Sequence, residues 1–253
     1  MTVIPLVRTR RAVLVSAVCA LVVTATGLTG CGGDDPDAGT NGVGKLSAEK
    51  IQSRTRKAAE GADAVRLSGA VVSNGRTYRL EMRLKADGGT GSVTSEGANF
   101  RLLRVGEHLF LKADAGFWSH QEGGTSDGGP ADTAAAKKLA GMYVKVPTGD
   151  PAYKRFSGFT DKDVLLDGLL TLHGTLAKDG RHEQGGVRTV RITGDKGAGG
   201  SLDVSLEGTP YPLRMVRAGG AGTLRLTDWG KDFALEEPSK KETVDYGKQL
   251  PTS

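Results

Sequence analysis

Apolar and polar side chains alternate along much of the chain, most clearly in RTYRLEMRLK, residues 76–85. The apolar positions of this segment are Tyr78, Leu80, Met82 and Leu84. A period of two predicts a strand with one apolar face and one solvated face. Asn74 and Gly75 separate this segment from AVRLSGAVVS, residues 64–73, and this dipeptide is a strong signal for a hairpin turn. The two segments are therefore predicted to form an antiparallel hairpin.

The same alternation predicts further strands in two blocks. The first block continues with residues 91–96, 99–105 and 108–114. The second block comprises residues 187–194, 200–208, 212–218 and 223–230. A short strand at residues 142–147 lies between the blocks and is ended by Pro147, which cannot donate to a ladder.

Three segments change to the helical period. Residues 47–61 begin with Ser47, a good N-cap, and end at Gly61. The shared face of this helix consists mainly of small residues, namely Ala48, Ile51, Thr55, Ala58, Ala59 and Ala62. A short helix is predicted from the cap Asp132 to Gly141. A more apolar helix is predicted over residues 160–174, with Thr160 and Asp163 as a cap and Leu165, Leu169 and Leu172 on one face.

The order of these segments favours an α+β fold. The predicted order is a helix, about five strands, two helices and about four strands. This order suits one antiparallel sheet with the helices on one face. The charged residues that alternate with apolar ones indicate that the other face is solvated. The 38 glycines and the aromatic content of 5% fit many turns and a core with few large rings.

The first 30 residues have the pattern of an export signal. Residues 1–11 contain three arginines and no acid, and residues 12–29 are uncharged and apolar or small. A transmembrane helix is the alternative, but the run of about 18 residues is at the lower limit for spanning a bilayer. Arg10 and Arg11 also resemble a twin-arginine signal, so the export route stays open between the two pathways.

Leu28-Thr29-Gly30-Cys31 resembles the bacterial lipobox. The resemblance implies that a diacylglyceryl group is attached to Cys31 and that residues 1–30 are removed. Two acyl chains on one residue would anchor the protein stably in the cell membrane, on its extracytoplasmic face. Cys19 lies in the removed segment, so we expect neither an intramolecular disulfide nor a catalytic thiol.

The mature chain is predicted to have three parts. Residues 31–45 are the lipidated cysteine and a flexible tether rich in Gly, Asp and Pro. A calcium loop of the EF-hand type is disfavoured, because Leu46 stands where a loop starting at Asp35 needs a glutamate. Residues 46–238 are the folded domain, and residues 239–253 are a polar tail.

The charge and the motifs favour neither a nucleic-acid partner nor an enzyme. The net charge is +5, but removing the three arginines of the export signal from the 34 Lys and Arg residues leaves 31 against 29 acids. No phosphate-binding loop, serine-hydrolase elbow or zinc-protease motif occurs in the sequence. The histidines are His108, His120, His173 and His182. Since they do not fall at metal-ligand spacing, we predict no metal, no cofactor and no catalysis.

The order of the segments resembles the LppX/LprG group of lipoproteins, which share the LolA/LolB-type fold. The resemblance spans residues 46–238. It rests on the lipobox, the hairpin after the first helix, HLFLKADAGFW, the leucine-rich helix, EGTPYPLRMV and LTDWGKDFALEEP. It implies a strongly curved antiparallel sheet, a half-open barrel of about 9–11 strands with helices on the concave face. It also implies an apolar cavity that binds or shuttles lipid or acyl chains.

The candidate cavity residues are those on the apolar faces of the predicted elements. They are Leu80, Met82, Leu84, Leu102, Phe110, Trp118, Leu165, Leu169, Leu172 and Met215. Periodicity alone equally permits an ordinary packed core at these positions. In that alternative the domain is an envelope binding or sensing module that contacts a protein partner without carrying lipid.

Overall fold

Strands form where apolar and polar residues alternate, and they join into a single sheet. The computed structural model describes residues 37–73, 75–95, 98–119, 130–245 and 247. Residue contacts separate the chain after Pro36, and the unit that begins at Asp37 holds every element below. Its strands are β1 (Ala64–Ser73), β2 (Arg76–Lys85), β3 (Gly88–Ser95), β4 (Ala98–Val105), β5 (His108–Ala113), β6 (Tyr143–Val146), β7 (Leu176–Gln184), β8 (Val187–Gly194), β9 (Ser201–Ser205), β10 (Pro212–Val216), β11 (Gly222–Thr227) and β12 (Thr243–Asp245).

The twelve strands are ordered β12-β6-β5-β4-β3-β2-β1-β11-β10-β9-β8-β7. Neighbouring strands are antiparallel, except for the parallel pair of β6 and β12. The sheet is curved and unclosed, and β7 and β12 are its edges in the described residues. This arrangement confirms the predicted α+β class with a curved antiparallel sheet. The strand count exceeds the predicted 9–11 because the edge strands lack an alternating pattern.

Five helices accompany the sheet. They are α1 (Ala48–Glu60), α2 (Ala115–Ser119), α3 (Pro130–Leu139), α4 (Pro151–Ser157) and α5 (Lys162–Leu170). Ser47 caps α1 as predicted, since its hydroxyl accepts a hydrogen bond from the backbone N–H of Lys50. The helix α3 begins at Pro130, ahead of the predicted cap Asp132.

The helix α5 is shorter than predicted at both ends. Asp161, not Thr160, is its N-cap, because its carboxylate accepts hydrogen bonds from the backbone N–H groups of Asp163 and Val164. The helix ends at Leu170, so the predicted face residue Leu172 lies in the following loop.

We call the sheet face that packs against the helices the inner face. Buried apolar residues from β1–β6, β8–β11 and all five helices form one continuous cluster there. The glycines of β3 permit close packing at this face: a β-carbon at Gly89 would lie 3.1 Å from the carbonyl oxygen of Thr160. The loop between α4 and α5 can therefore approach the backbone of β3 directly.

Residues 37–45 belong to the folded unit, which corrects the tether boundary predicted at residue 45. The backbone N–H of Asn41 donates to the carbonyl oxygen of Leu206 at 2.8 Å. Arg181 forms an ion pair with Asp37 at 2.6 Å. A segment with such fixed partners is not a flexible linker.

The predicted polar tail, residues 239–253, contributes a strand. Its residues 243–245 form β12, which pairs with β6 through backbone hydrogen bonds that side-chain patterning does not report. The export signal, Cys31 and the last residues of the tail lie outside the described residues. Among the described residues, no helix has the length and apolar character needed to span a bilayer.

The face opposite the inner face is the outer face, and the C-terminal strap, residues 228–242, crosses one end of it. The ring centroid of Phe233, in the strap, lies 5.9 Å from the guanidinium carbon of Arg83 and 5.5 Å from the ammonium nitrogen of Lys85. Glu237 of the strap forms an ion pair with His108. The strap thus covers the end of the outer face where β2 ends and β5 begins.

Candidate functional site

The candidate cavity residues lie mostly together on the inner side of the sheet. Eight of the ten are buried members of the continuous apolar cluster, namely Leu80, Met82, Leu84, Leu102, Trp118, Leu169, Leu172 and Met215. Leu165 is partly buried and packs against the same cluster. The structure thus brings the leucine-rich helix α5 and strands β2, β4 and β10 to one apolar interior.

Phe110 is the exception, because it lies on the outer face. Its neighbours Leu109 and Leu111 belong to the inner cluster, so alternation along β5 turns Phe110 outward. There it packs edge-on against Tyr143, with 6.5 Å between the ring centroids. HLFLKA has three consecutive apolar residues, so no alternation with polar residues shows which of them faces inward.

Four aromatic rings gather against the inner face where β4 begins. The ring centroid of Phe100 lies 5.3 Å from that of Phe117 and 5.5 Å from that of Phe156. Phe117 in turn meets Trp118 edge-on at 5.2 Å. Only Trp118 was among the predicted site residues. The adjacent Phe117 stood in the same HLFLKADAGFW segment, whereas α4, which carries Phe156, has no extended apolar pattern.

Two polar atoms inside the interior have no hydrogen-bond partner. Within the part of the chain that the structure describes, the indole N–H of Trp118 and the hydroxyl of Thr55 are buried and unpaired. Trp118 is 9% exposed, and Thr55, on the buried face of α1, is 0% exposed. An unpaired buried polar group costs about 1–3 kcal/mol. A ligand that carries a hydrogen-bond acceptor into the interior would recover that cost at Trp118.

The helices α1 and α5 are tied to each other by polar contacts. The side-chain amide of Gln52 donates to the carbonyl oxygen of Leu170 at 3.2 Å, and Arg56 forms an ion pair with Asp167. The ammonium of Lys162 donates to the carbonyl oxygen of Glu60 at 2.9 Å. These contacts join the two helices along their length.

Side chains occupy the space between the inner face and the helices. Among the pockets formed by the described residues, four lie beside the strap, along α1, between β5 and β6, and next to Arg101 on the outer face. None of these four is lined by any of the ten candidate residues.

The histidines lie apart from the interior cluster where they are described. His108 pairs with Glu237, and the ring of His182 contacts the carbonyl oxygen of Asp179 at 2.7 Å. His120 lies outside the described residues. In the described ranges, no group of three or more His, Cys, Asp or Glu side chains is placed to hold a metal ion.

Comparison with known proteins gives structural matches at low sequence identity. No protein-family model and no curated protein sequence matches the chain. The structure of LprF from Mycobacterium bovis is similar, with a TM-score of 0.49, 15% identity, and coverage of 76% of this chain and 97% of LprF. The lipoprotein LppX from Mycobacterium tuberculosis has a TM-score of 0.42 and 14% identity, covering 75% of this chain and all of LppX.

An uncharacterized conserved protein from Thermus thermophilus also matches, with a TM-score of 0.34 and 12% identity, covering 78% of this chain and 98% of that protein. LppX is one of the two proteins that give their names to the group resembled by the sequence, and so this group is represented among the matched structures. At these identities no site residue carries over from any of the matched proteins. The contacts of this chain alone define its candidate site.

Proposed function

We propose that this chain is a membrane-anchored extracytoplasmic lipoprotein whose domain binds or shuttles lipid or acyl chains. The ligand would lie between the inner face and the helices, among the apolar residues around Met82 and Met215. Cys31 would carry the membrane anchor. An acyl chain suits this interior because it can exchange apolar contacts with the leucine and methionine side chains that surround it.

The observation that carries the proposal is the unpaired indole N–H of Trp118. Trp118 is a buried member of the apolar cluster, and its ring meets that of Phe117, which in turn contacts Phe100. Apolar interiors rarely retain a buried donor without a partner, because its desolvation is uncompensated. The ester or amide oxygen of a lipid would supply the missing acceptor, while its acyl chain extends into the cluster.

The helix pair of α1 and α5 is suited to act as the lid. The alanines Ala48 and Ala59 are part of the face that α1 buries in the cluster. Lifting a face of small residues exposes less apolar area than lifting one of leucines, and the cost scales with that area. The ties from Gln52 and Lys162 would keep α5 with α1 during the movement.

The two tryptophans offer a matched test of this proposal. Trp118→Phe removes the unpaired N–H, whereas Trp229→Phe removes an N–H that donates to the carbonyl oxygen of Pro212 at 3.0 Å. Lipids that co-purify from bacterial membranes are extracted and measured by mass spectrometry. We expect Trp118→Phe to retain about five-fold less lipid, equivalent to one hydrogen bond. Trp229→Phe should retain as much as the unaltered protein.

The ligand-free proteins provide a second, independent readout. Without ligand, Trp118→Phe should lower the unfolding temperature less than Trp229→Phe, because both substitutions remove ring volume but Trp118→Phe removes an unsatisfied buried donor. Trp229→Phe should unfold at a lower temperature, because it removes a satisfied one. Lipid-free protein from every preparation, or equal lipid in both variants, would contradict an interior lipid site.

The alternative is a binding module of the same fold that contacts an envelope protein. The observation that favours it is the burial of Met82 and Leu169 in a filled interior, at 1% and 7% exposure. Cross-linking in intact cells separates the two functions. Recovery of one defined protein partner, together with an absence of extractable lipid, would select the binding module.

A further inference from the structure

The outer face carries an excess of positive charge over β1–β6 and β8–β11. Its charged side chains are ten cations (Arg66, Arg79, Arg83, Lys85, Arg101, Lys112, Lys145, Arg191, Arg214 and Arg225) and two carboxylates (Glu81 and Asp203). Directly opposite residues of like charge destabilise a sheet. Three such pairs occur here: Arg66 with Arg83, Arg101 with Lys112, and Arg214 with Arg225.

The C-terminal strap compensates the cations at its own end of the face. Its Asp232 pairs with Lys85 at 3.2 Å. The hydrogen bond from Lys231 lowers the pKa of Asp228, and the nearby charges of Arg66 and Arg83 lower it further. These carboxylates compensate the positive charge of the β1 and β2 cations nearest the strap.

Asp203 compensates a second group of cations, next to β9. It is 1% exposed and lies 2.6 Å from Arg191 and 3.6 Å from Arg214. The hydrogen bond with Asp203 raises the pKa of the Arg191 guanidinium. This carboxylate therefore neutralises part of the charge on β8 and β10 and leaves Arg225 on the neighbouring strand unmatched.

Three arginines of the outer face belong to neither group and remain uncompensated. Arg79, Arg101 and Arg225 are exposed, and their side chains have no ion pair, hydrogen bond or ring contact within the described residues. Together with Lys112 they form what we call the outer basic patch. It extends from β11 to β5, which is about 24 Å at the usual spacing between strands.

A hollow of about 610 Å³ lies at the β5 end of the outer basic patch. Arg101 and Lys112 line it together with the hydrogen-bonding side chains of Ser92, Thr94 and Asn99. Asp114, which also borders it, is engaged by the backbone N–H of Phe117 at 2.8 Å. The hollow thus combines two cations, one carboxylate and small polar groups, and its net positive charge suits phosphate oxygens.

We propose that the outer basic patch docks the domain onto an anionic phospholipid bilayer, with headgroup phosphates at Arg101 and Lys112. Guanidinium groups bind phosphate with two parallel hydrogen bonds, and exposed arginines on one face can meet a charged surface together. The folded unit begins at Asp37, six residues after the predicted anchor Cys31. Six residues span at most about 22 Å, so an anchored domain stays within reach of the bilayer.

Docking does not depend on a lipid inside the domain. To test docking without the lipid anchor, the experiment uses residues 37–253, which do not include Cys31. This unit contains the whole described core, so it can be produced alone. Flotation measures binding to vesicles of phosphatidylcholine, with or without phosphatidylglycerol as about a third of the lipid. The test variant changes Arg79, Arg101 and Arg225 to Gln. The matched control changes Lys50, Arg54 and Lys57, which are exposed on α1, to Gln.

The unaltered unit should bind only the anionic vesicles and should be released when salt rises from about 0.1 M to about 1 M. The outer-patch variant should bind about a hundred-fold more weakly, and the α1 control should lose at most about five-fold. Changing the same three arginines to Lys should weaken binding less than changing them to Gln, because the charge is kept while the paired hydrogen bonds are lost. Equal losses in both Gln variants, or equal binding to neutral vesicles, would overturn the docking surface. Trp118→Phe should float like the unaltered unit, which separates this inference from the interior lipid site.

Discussion

Thr55 and Thr160 are both fully buried, yet their hydroxyl groups have opposite surroundings. Thr160 donates to the carbonyl oxygen of Ser157 at 2.9 Å and accepts from Arg104 at 3.2 Å. Thr55 has no partner within the described residues. The helical period correctly placed Thr55 on the buried face of α1. Whether its hydroxyl is paired depends on atoms far along the chain, and periodicity carries no information about them.

Replacing each threonine by valine should therefore change stability in opposite directions. Thr55→Val removes an unpaired buried hydroxyl, and we expect the free energy of unfolding to stay equal or to rise by about 1 kcal/mol. Thr160→Val removes the hydroxyl that accepts from the Nε–H of Arg104 and donates to the carbonyl oxygen of Ser157, so the free energy of unfolding should fall by about 1–3 kcal/mol. Urea titration of the ligand-free unit measures both. A loss of stability in Thr55→Val equal to that in Thr160→Val would mean that the Thr55 hydroxyl has a partner.

At the scale of elements, the junction of α1 and α5 depends on a buried lysine. Lys162 is 3% exposed, donates to the carbonyl oxygen of Glu60 and pairs with Asp163 at 2.7 Å. Its ammonium thus satisfies the C-terminal end of α1, where a cation is favoured by the helix dipole. The leucine pattern predicted α5, but from the sequence a lysine at the start of a helix is expected to be exposed to solvent. Only the packing of α1 against α5 explains its burial.

Lys162→Met should loosen this junction. The aliphatic stem is kept, while the hydrogen bond from the Lys162 ammonium to the carbonyl oxygen of Glu60 is lost. We expect the free energy of unfolding to fall by about 2 kcal/mol, measured by urea titration. Lys240→Met, at an exposed position of the strap, is the control and should change it by less than about 0.5 kcal/mol. Equal effects of the two substitutions would show that the Lys162 contact does not hold the helices together.

At the scale of the whole molecule, the alternating segments determined the class of the fold, and the weakly patterned ones escaped prediction. β7 is exposed at most of its positions, and β12 has three residues, so neither presents an apolar stripe. Backbone ladders pair each of them with its neighbouring strand, and side-chain patterning carries no signal for such pairing. The start of the unit at Asp37 was missed for the same reason, since Asn41 holds it through polar contacts to β9 and the loop after it.

Cys31→Ser tests the predicted anchor without altering the folded unit. The thiol that would receive the diacylglyceryl group is absent, while every described contact remains. We expect the protein to leave the lipid-anchored membrane fraction, with the unfolding temperature of its domain unchanged. Fractionation of cells and detergent partitioning measure the first effect. Unchanged partitioning into the detergent phase would refute lipid attachment at Cys31.

The methionine methyl groups can report most directly whether an acyl chain lies inside the domain. Met82 and Met215 are in the apolar cluster at 1% and 2% exposure, whereas Met142 lies outside it and serves as an internal control. The unit is labelled with ¹³C at the methionine methyl groups and mixed with a lipid that carries a spin label on its acyl chain. The proposed function predicts that the Met82 and Met215 signals broaden and that the Met142 signal stays sharp. Unchanged signals from Met82 and Met215 at saturating lipid, or equal broadening of all three, would contradict an interior lipid site.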